Sequence, residues 1–143
     1  MNFYIIIPAH NEEKNIAQTL QSIVNQKLKP KKLVVVNDNS SDNTSQIIND
    51  FTKRFDWIKK VENKSSNVHL PGAKIINAFY AGYDTLDENY DVICKFDADL
   101  VFEPDYLLNL KLNFENNLCL GIVAGVCYVK KQKEWVLENL NRN

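Results

Sequence analysis

Short unbroken apolar runs alternate along the chain with segments in which apolar residues return every three or four positions. The runs suit strands buried on both faces, and the spaced segments suit helices that bury one stripe. Residues 3–7 make the first run, a strand predicted to stop at Pro8, and Ile16, Leu20, Ile23 and Val24 then share one helical face. Residues 33–36 predict a second strand, and Ile47, Ile48, Phe51 and Phe55 a second helix with Ser41 or Asp42 as its N-cap. A short third strand is expected at 58–61. After it come a polar loop, "ENKSSNVHLPG", expected to be the mobile part, and a helix carrying Ile75, Ile76, Phe79 and Tyr83. Residues 92–96 predict a fourth strand, Leu107, Leu110 and Phe114 a helix after Pro104, and residues 121–129 a fifth strand.

This alternation predicts an α/β fold, with a mostly parallel sheet between helix layers in a three-layer α/β/α sandwich. The 143 residues, 45% hydrophobic and 24% charged, fit a single domain, 1–143, with a real core. A formal net charge of −1 with Lys and Glu interspersed leaves no basic stripe for a phosphate backbone, which argues against nucleic acid. The longest apolar runs, "FYIII" and "LCLGIVAGVCYV", fall short of the roughly 20 residues needed to cross a bilayer, and no signal peptide opens the chain. A soluble, cytoplasmic protein is therefore expected. Cys94, Cys119 and Cys127, without a C-x-x-C pair, are expected to be buried free thiols.

Open parallel sheets bind ligands beyond the carboxyl ends of their strands. Three polar clusters are predicted there: "PAHNEE" after the first strand, "NDNSSDNT" after the second and "DAD" after the fourth. Any one alone is an ordinary turn; together they point to a site. Asp97 and Asp99 would repel by about 3 kcal/mol at about 6 Å and an effective dielectric near ~20, so water or a cation should offset them. Carboxylate oxygens with an open coordination sphere suit Mg²⁺ or Mn²⁺ shared with substrate phosphates, and a pair pointing into water is the plainer alternative. No glycine-rich phosphate loop occurs, so a diphosphate would need that metal and a side-chain cation, for which Lys74 is the candidate. Asp38, flanked by Asn37 and Asn39, could accept a nucleobase N–H or serve turn chemistry. Asn11 and Glu12 also read as a helix cap and a first-turn acid, and His10 and His69 as surface or hydrogen-bonded groups.

"IIIPAHNEEKNI", "LVVVNDNSSDNT", "PGAKIINAFYAGYD" and "CKFDADLVFEPDYL" resemble, in order and spacing, the nucleotide-sugar-binding half of family 2 glycosyltransferases. The resemblance implies a Rossmann-like GT-A fold. It implies that Pro8, Ala9, Asn11 and Glu12 line a nucleoside pocket, that Asp38 holds the base and that Lys74 lies near the diphosphate. It further implies that Asp97 contacts ribose or a metal-bound water and that Asp99 is the direct ligand of Mn²⁺ or Mg²⁺. The reaction implied is inverting, metal-dependent transfer from a nucleotide-diphospho-sugar, with a UDP-sugar favoured, to a hydroxyl of an acceptor glycan or lipid-linked sugar. The resemblance also implies a role in cell-surface polysaccharide biosynthesis, with a cytoplasmic chain peripheral to the inner face of a membrane.

There are departures from the family pattern. His10 stands where these enzymes usually carry Tyr or another aromatic, and Asn37 and Asn39 replace a frequent Asp and Gly. The chain ends at "EWVLENLNRN", before the family's acceptor-binding half. The fold is thus read as truncated, with the catalytic base expected beyond Asn143 and an exposed face expected to favour homo-oligomers. Two other readings are a noncatalytic nucleotide-binding module or inactive fragment, and a phosphotransfer domain of receiver type. The latter needs an acidic pair where Pro8 and Ala9 stand.

Overall fold

The computed structural model describes residues 1–64 and 73–138; most of the polar loop, with His69, lies outside the described residues. The chain divides into two units, Met1–Asn109 and Leu110–Asn143. In the first, β1 (Phe3–Ala9), β2 (Lys32–Asp38), β3 (Ile58–Asn63) and β4 (Val92–Lys95) form a parallel sheet in the order β3-β2-β1-β4. Central β1 carries the longest apolar run, and Phe3 through Ile7 are each at most 1% exposed. That is the expected pattern for a strand covered on both faces.

The helices α1 (Ile16–Val24), α2 (Thr44–Arg54) and α3 (Ala73–Tyr83) alternate with the strands, and alternate residues of β3 assign α2 and α3 to faces of the sheet. On β3, Lys60 reaches Ser45 Oγ at 2.5 Å and Asn49 Oδ1 at 3.2 Å on α2, while neighbouring Val61 packs on the cluster of Ile6, Val34, Val36 and Ala78 beneath α3. Successive side chains point to opposite faces, so α2 and α3 lie on opposite sides of the sheet. α3 departs from its predicted apolar face. Ala78 and Gly82 are buried, Phe79 and Tyr83 are half-buried, and Ile75 and Ile76 are exposed. A Cβ on Gly82 would stand 2.8 Å from Val36 Cγ2 and 2.9 Å from Ile6 Cγ2, so small residues set how closely α3 approaches the sheet.

Pro8 does not stop β1, which pairs with β2 as far as Ala9↔Asn37. It does end the pairing with β4, whose last rung is Ile6↔Lys95 followed by the Phe96 N–H donating to Ile6 O at 3.1 Å. In a parallel ladder the next bond on that side would come from the N–H of residue 8, which proline lacks.

Two predicted helix starts are also corrected. α1 begins at Ile16 after Asn15, not at Asn11, because Asn11 has φ 55°, a left-handed conformation that cannot begin a helix. α2 follows Asn43, and Asp42 serves its first turn by accepting the Thr44 N–H at 3.0 Å.

A fourth helix, α4 (Tyr106–Asn116), has Leu107 and Leu110 buried and Phe114 half-buried. The second unit departs most from expectation. Residues 121–127 are not in a strand; instead β5 (Tyr128–Lys131) and β6 (Glu134–Leu137) form an antiparallel hairpin turning at Gln132, φ 55°. Apolar content alone does not make a strand, and Gly121 and Gly125 weaken this run. The cysteines form no disulfide among the described residues, yet only Cys94 is buried, its thiol pushed up to about 12 by burial; Cys119 is exposed and Cys127 half-buried.

Candidate functional site

From β1 the chain proceeds sideways through β2 to β3, and α3 then carries it back to β4 on the other flank of β1. The carboxyl ends of β1 and β4 therefore frame a switch point, where ligands of open α/β sheets bind. A cavity of about 480 Å³ lies there, within the range of small-molecule sites. Pro8, Ala9, His10 and Glu12 line it from the end of β1, Asp38 from β2, Lys74, Ile75 and Ala78 from α3, and Asp97, Ala98 and Asp99 from the turn after β4. Of the residues that the family resemblance assigned to the site, seven line the cavity and Asn11 does not.

Asn11 instead stitches the two adjoining loops together. Its Oδ1 accepts the Ser41 N–H at 2.8 Å, its own N–H donates to Ser40 Oγ at 3.1 Å, and Glu12 N–H donates to Thr44 Oγ1 at 2.8 Å. Glu13 completes the seam: its N–H donates to Asp42 Oδ2 at 3.1 Å and its Oε2 accepts from Asn43. Burial alone would raise the Asp42 carboxyl, but the hydrogen bonds from Thr44 and the Glu13 backbone outweigh it and hold the group below the usual carboxylate range. His10 is hydrogen-bonded as predicted. Its Nδ1 lies 2.6 Å from the Asp38 carbonyl and so donates to it, which leaves Nε2 to accept from Asn11 Nδ2 at 3.3 Å.

Asp38 is 5% exposed and accepts the Asn63 amide on Oδ1 at 2.9 Å. Asn37 turns to the other face and donates to Glu62 Oε2 at 2.7 Å. Asp97 and Asp99 are both exposed, and Lys95 pairs with Asp97 Oδ1, so a cation of the chain itself relieves part of their repulsion. The turn that carries them is held from behind by a buried polar stripe. Thr19 Oγ1 donates to Ala98 O at 2.7 Å, Ser22 Oγ accepts the Phe102 N–H at 3.1 Å, and Gln26 bonds Glu103 O and the Leu107 N–H. The signal for this stripe was present in the sequence as Thr19 and Ser22 spaced among the apolar residues of α1, with Gln26 just beyond its end.

The donor chemistry fits a hard divalent cation. Two carboxylates stand at one end of the cavity, and among the described residues no cluster of three or more His, Cys, Asp or Glu could hold an ion by itself. The remaining ligands would be phosphate or water oxygens, as Mg²⁺ sites commonly use.

Solved structures share this architecture. Staphylococcus aureus TarS 1–349 in complex with UDP superposes with a TM-score of 0.66 at 24% identity, over 81% of this chain and 32% of that one. The mannosyltransferase PcManGT from Pyrobaculum calidifontis, in complex with GDP-Man and Mn²⁺, gives a TM-score of 0.59 at 21% identity, over 76% and 30%. The fold is that of the GT-A glycosyltransferases. The family model of glycosyl transferase family 2 matches residues 4–142, and the chain belongs to that family. Among curated relatives, the probable glycosyltransferase YdaM of Bacillus subtilis is 40% identical over 123 residues, 85% of this chain. A poly-beta-1,6-N-acetyl-D-glucosamine synthase of Staphylococcus epidermidis is 30% identical over 120 residues, 84% of the chain. The chain spans 28% and 27% of the lengths of these two relatives.

Proposed function

We propose that the chain forms the donor site of an inverting glycosyltransferase that moves a sugar from a nucleotide-diphospho-sugar to an acceptor hydroxyl. One observation carries the reading: Asp38, Lys74, Asp97 and Asp99, from two strand ends and a helix start, line a single cavity at the switch point. A nucleoside would lie against Pro8, Ala9 and Glu12, with Asp38 accepting a base N–H and the Asn11 seam holding the pocket wall. Lys74 would stand against the diphosphate, in reach of the first turn of α3. Asp99 would hold Mn²⁺ or Mg²⁺ directly, and Asp97, already paired with Lys95, would contact ribose or a water on the ion. A divalent cation held there supplies positive charge against the diphosphate as it leaves the anomeric carbon. We assign no residue of this chain as the base that takes the acceptor proton.

UDP is the favoured nucleotide, because TarS is described with UDP and UDP-GlcNAc, and the relatives that make poly-N-acetylglucosamine point to a glycan acceptor. Calorimetric titration of UDP, GDP and dTDP, with Mn²⁺ and again with chelator, tests the reading. Chelator-sensitive binding of a nucleotide supports it; a folded chain that binds none of the three overturns it.

A further inference from the structure

One lysine breaks the apolar run of the fourth strand, "VICKF", just ahead of Asp97. Strand alternation decides where it points. Cys94 and Phe96 are buried, whereas Ile93 packs on the cluster of Ile6, Val34, Val36 and Ala78 beneath α3, and Lys95 is in register with Ile6. Lys95 therefore lies on the α3 side of the sheet, the side from which Lys74 and Ala78 line the cavity, and there its Nζ pairs with Asp97 Oδ1. It is also the last rung of the β1–β4 ladder, and its side chain stays 39% exposed.

We infer that Lys95 is a resident counter-ion of the cavity, a second side-chain cation that lets a nucleoside diphosphate enter beside Asp97 and Asp99 before a divalent cation is in place. The inference rests on the donor-site reading, and what it adds is a balance of charge. Asp97 and Asp99 by themselves present two negative charges to an incoming diphosphate, and these repel it. With Lys95 against Asp97 and Lys74 on the cavity wall, two ammonium groups offset the two carboxylates. The effect is that of one charge on others through partly solvated space, and it requires no oxygen of Asp97 to be blocked. Its sign differs for the two ligands. The ammonium attracts the diphosphate and repels Mn²⁺, each on the order of fivefold in affinity for a pair of unit charges at contact distance in water. A merely structural lysine, once lost, would weaken both.

The test compares the parent with Lys95→Met, which keeps the length of the side chain and removes its charge, and with Lys95→Arg, which keeps the charge; thermal melts confirm folding. UDP is titrated by calorimetry in chelator and again in Mn²⁺, and Mn²⁺ alone is titrated by electron paramagnetic resonance. Lys95→Met should bind UDP about fivefold more weakly in chelator and Mn²⁺ alone about fivefold more tightly, while Lys95→Arg stays within about twofold of the parent in both. The UDP difference should shrink below about twofold at ~1 M salt, where the Debye length is about 3 Å. A folded Lys95→Met protein that gains no Mn²⁺ affinity, or loses no UDP affinity in chelator, overturns the inference. So does a UDP difference that persists at ~1 M salt, or a parent that binds UDP only when Mn²⁺ is present. In each of these cases UDP binding in Mn²⁺ leaves the donor-site reading standing. A parent that binds no nucleotide, with Mn²⁺ or without, overturns that reading and this inference together.

Discussion

Asn11 and Ser41 meet across 30 positions of sequence: the Ser41 N–H donates to Asn11 Oδ1 at 2.8 Å while the Asn11 N–H reaches the neighbouring Ser40 Oγ at 3.1 Å. One side chain thereby fixes the spacing of the two loops that follow β1 and β2. Asn11 suits the task twice, since it also tolerates the left-handed φ of 55° found there. Asn11→Ala should lose the seam and add backbone strain, costing about 2–3 kcal/mol, whereas Asn11→Gly should lose only the seam, about 1 kcal/mol. Urea unfolding measures both, and equal losses would show that the strain is not felt.

Thr19 is fully buried and holds the carbonyl between the two aspartates of the turn after β4. Thr19→Val keeps the shape and leaves that carbonyl without its donor, an expected loss of about 1–2 kcal/mol in urea unfolding. Because the turn carries Asp97 and Asp99, nucleotide affinity in Mn²⁺ should fall more than affinity in chelator. Equal falls would detach Thr19 from the metal side of the site.

Asp99→Ala should abolish the Mn²⁺-dependent part of nucleotide binding with an unchanged circular dichroism spectrum. Asp38→Ala should weaken all nucleotides by about tenfold with or without metal, the loss of a charged hydrogen bond. Titration of both variants decides the assignment, and an Asp99→Ala protein as chelator-sensitive as the parent would sink it.

Gly82→Ala places a methyl within 3 Å of side chains from two buried strand residues, Val36 and Ile6. Overpacking of this kind costs about 1–3 kcal/mol, against a gain of about 1 kcal/mol in helix propensity. A net loss and a weakened affinity for nucleotide are expected, because α3 carries Lys74 and Ala78 on the cavity wall.

At the other end of the sheet Asp87 accepts hydrogen bonds from Lys32 at 2.7 Å and Tyr4 Oη at 2.6 Å, which hold its carboxyl well below the usual range. A lowered carboxyl stabilises the fold above its unfolded value of about 4, and that contribution disappears as pH falls below it. Tyr4 shifts the other way, pushed up to about 12 by the Asp87 hydrogen bond and by burial. Its contribution is full below about pH 10 and disappears as pH rises toward the folded value. Melting temperature across this range should fall at both ends in the parent, and Asp87→Asn should flatten both limbs.

The parallel sheet was legible chiefly from β1 and β2, unbroken apolar runs buried on both faces, which few other arrangements explain. Asp38, Asp97 and Asp99 were legible too, since carboxylates directly after such runs must stand at strand ends. Asn11 was harder: its left-handed backbone and its partner 30 residues away leave no local mark, and cap chemistry predicts the same residue type. The face of α3 was misjudged because hydrophobicity favours Ile75 and Ile76, whereas close packing here selects Gly82 and Ala78. The run at 118–129 records apolar content and not a pairing partner, so it suggested a strand the structure does not form.

Pro8 gives the site its opening. Because an imino nitrogen ends one side of β1 while the other side stays paired to Ala9, the gap between β1 and β4 is written into covalent structure and does not depend on side-chain fit. No ligand has to pry strands apart to enter, and the free energy of contact is not spent on breaking a ladder. The crevice should accordingly persist through substitutions that retune its walls, which leaves His10, Asp38 and Lys74 open to change while the vessel that holds them keeps its form.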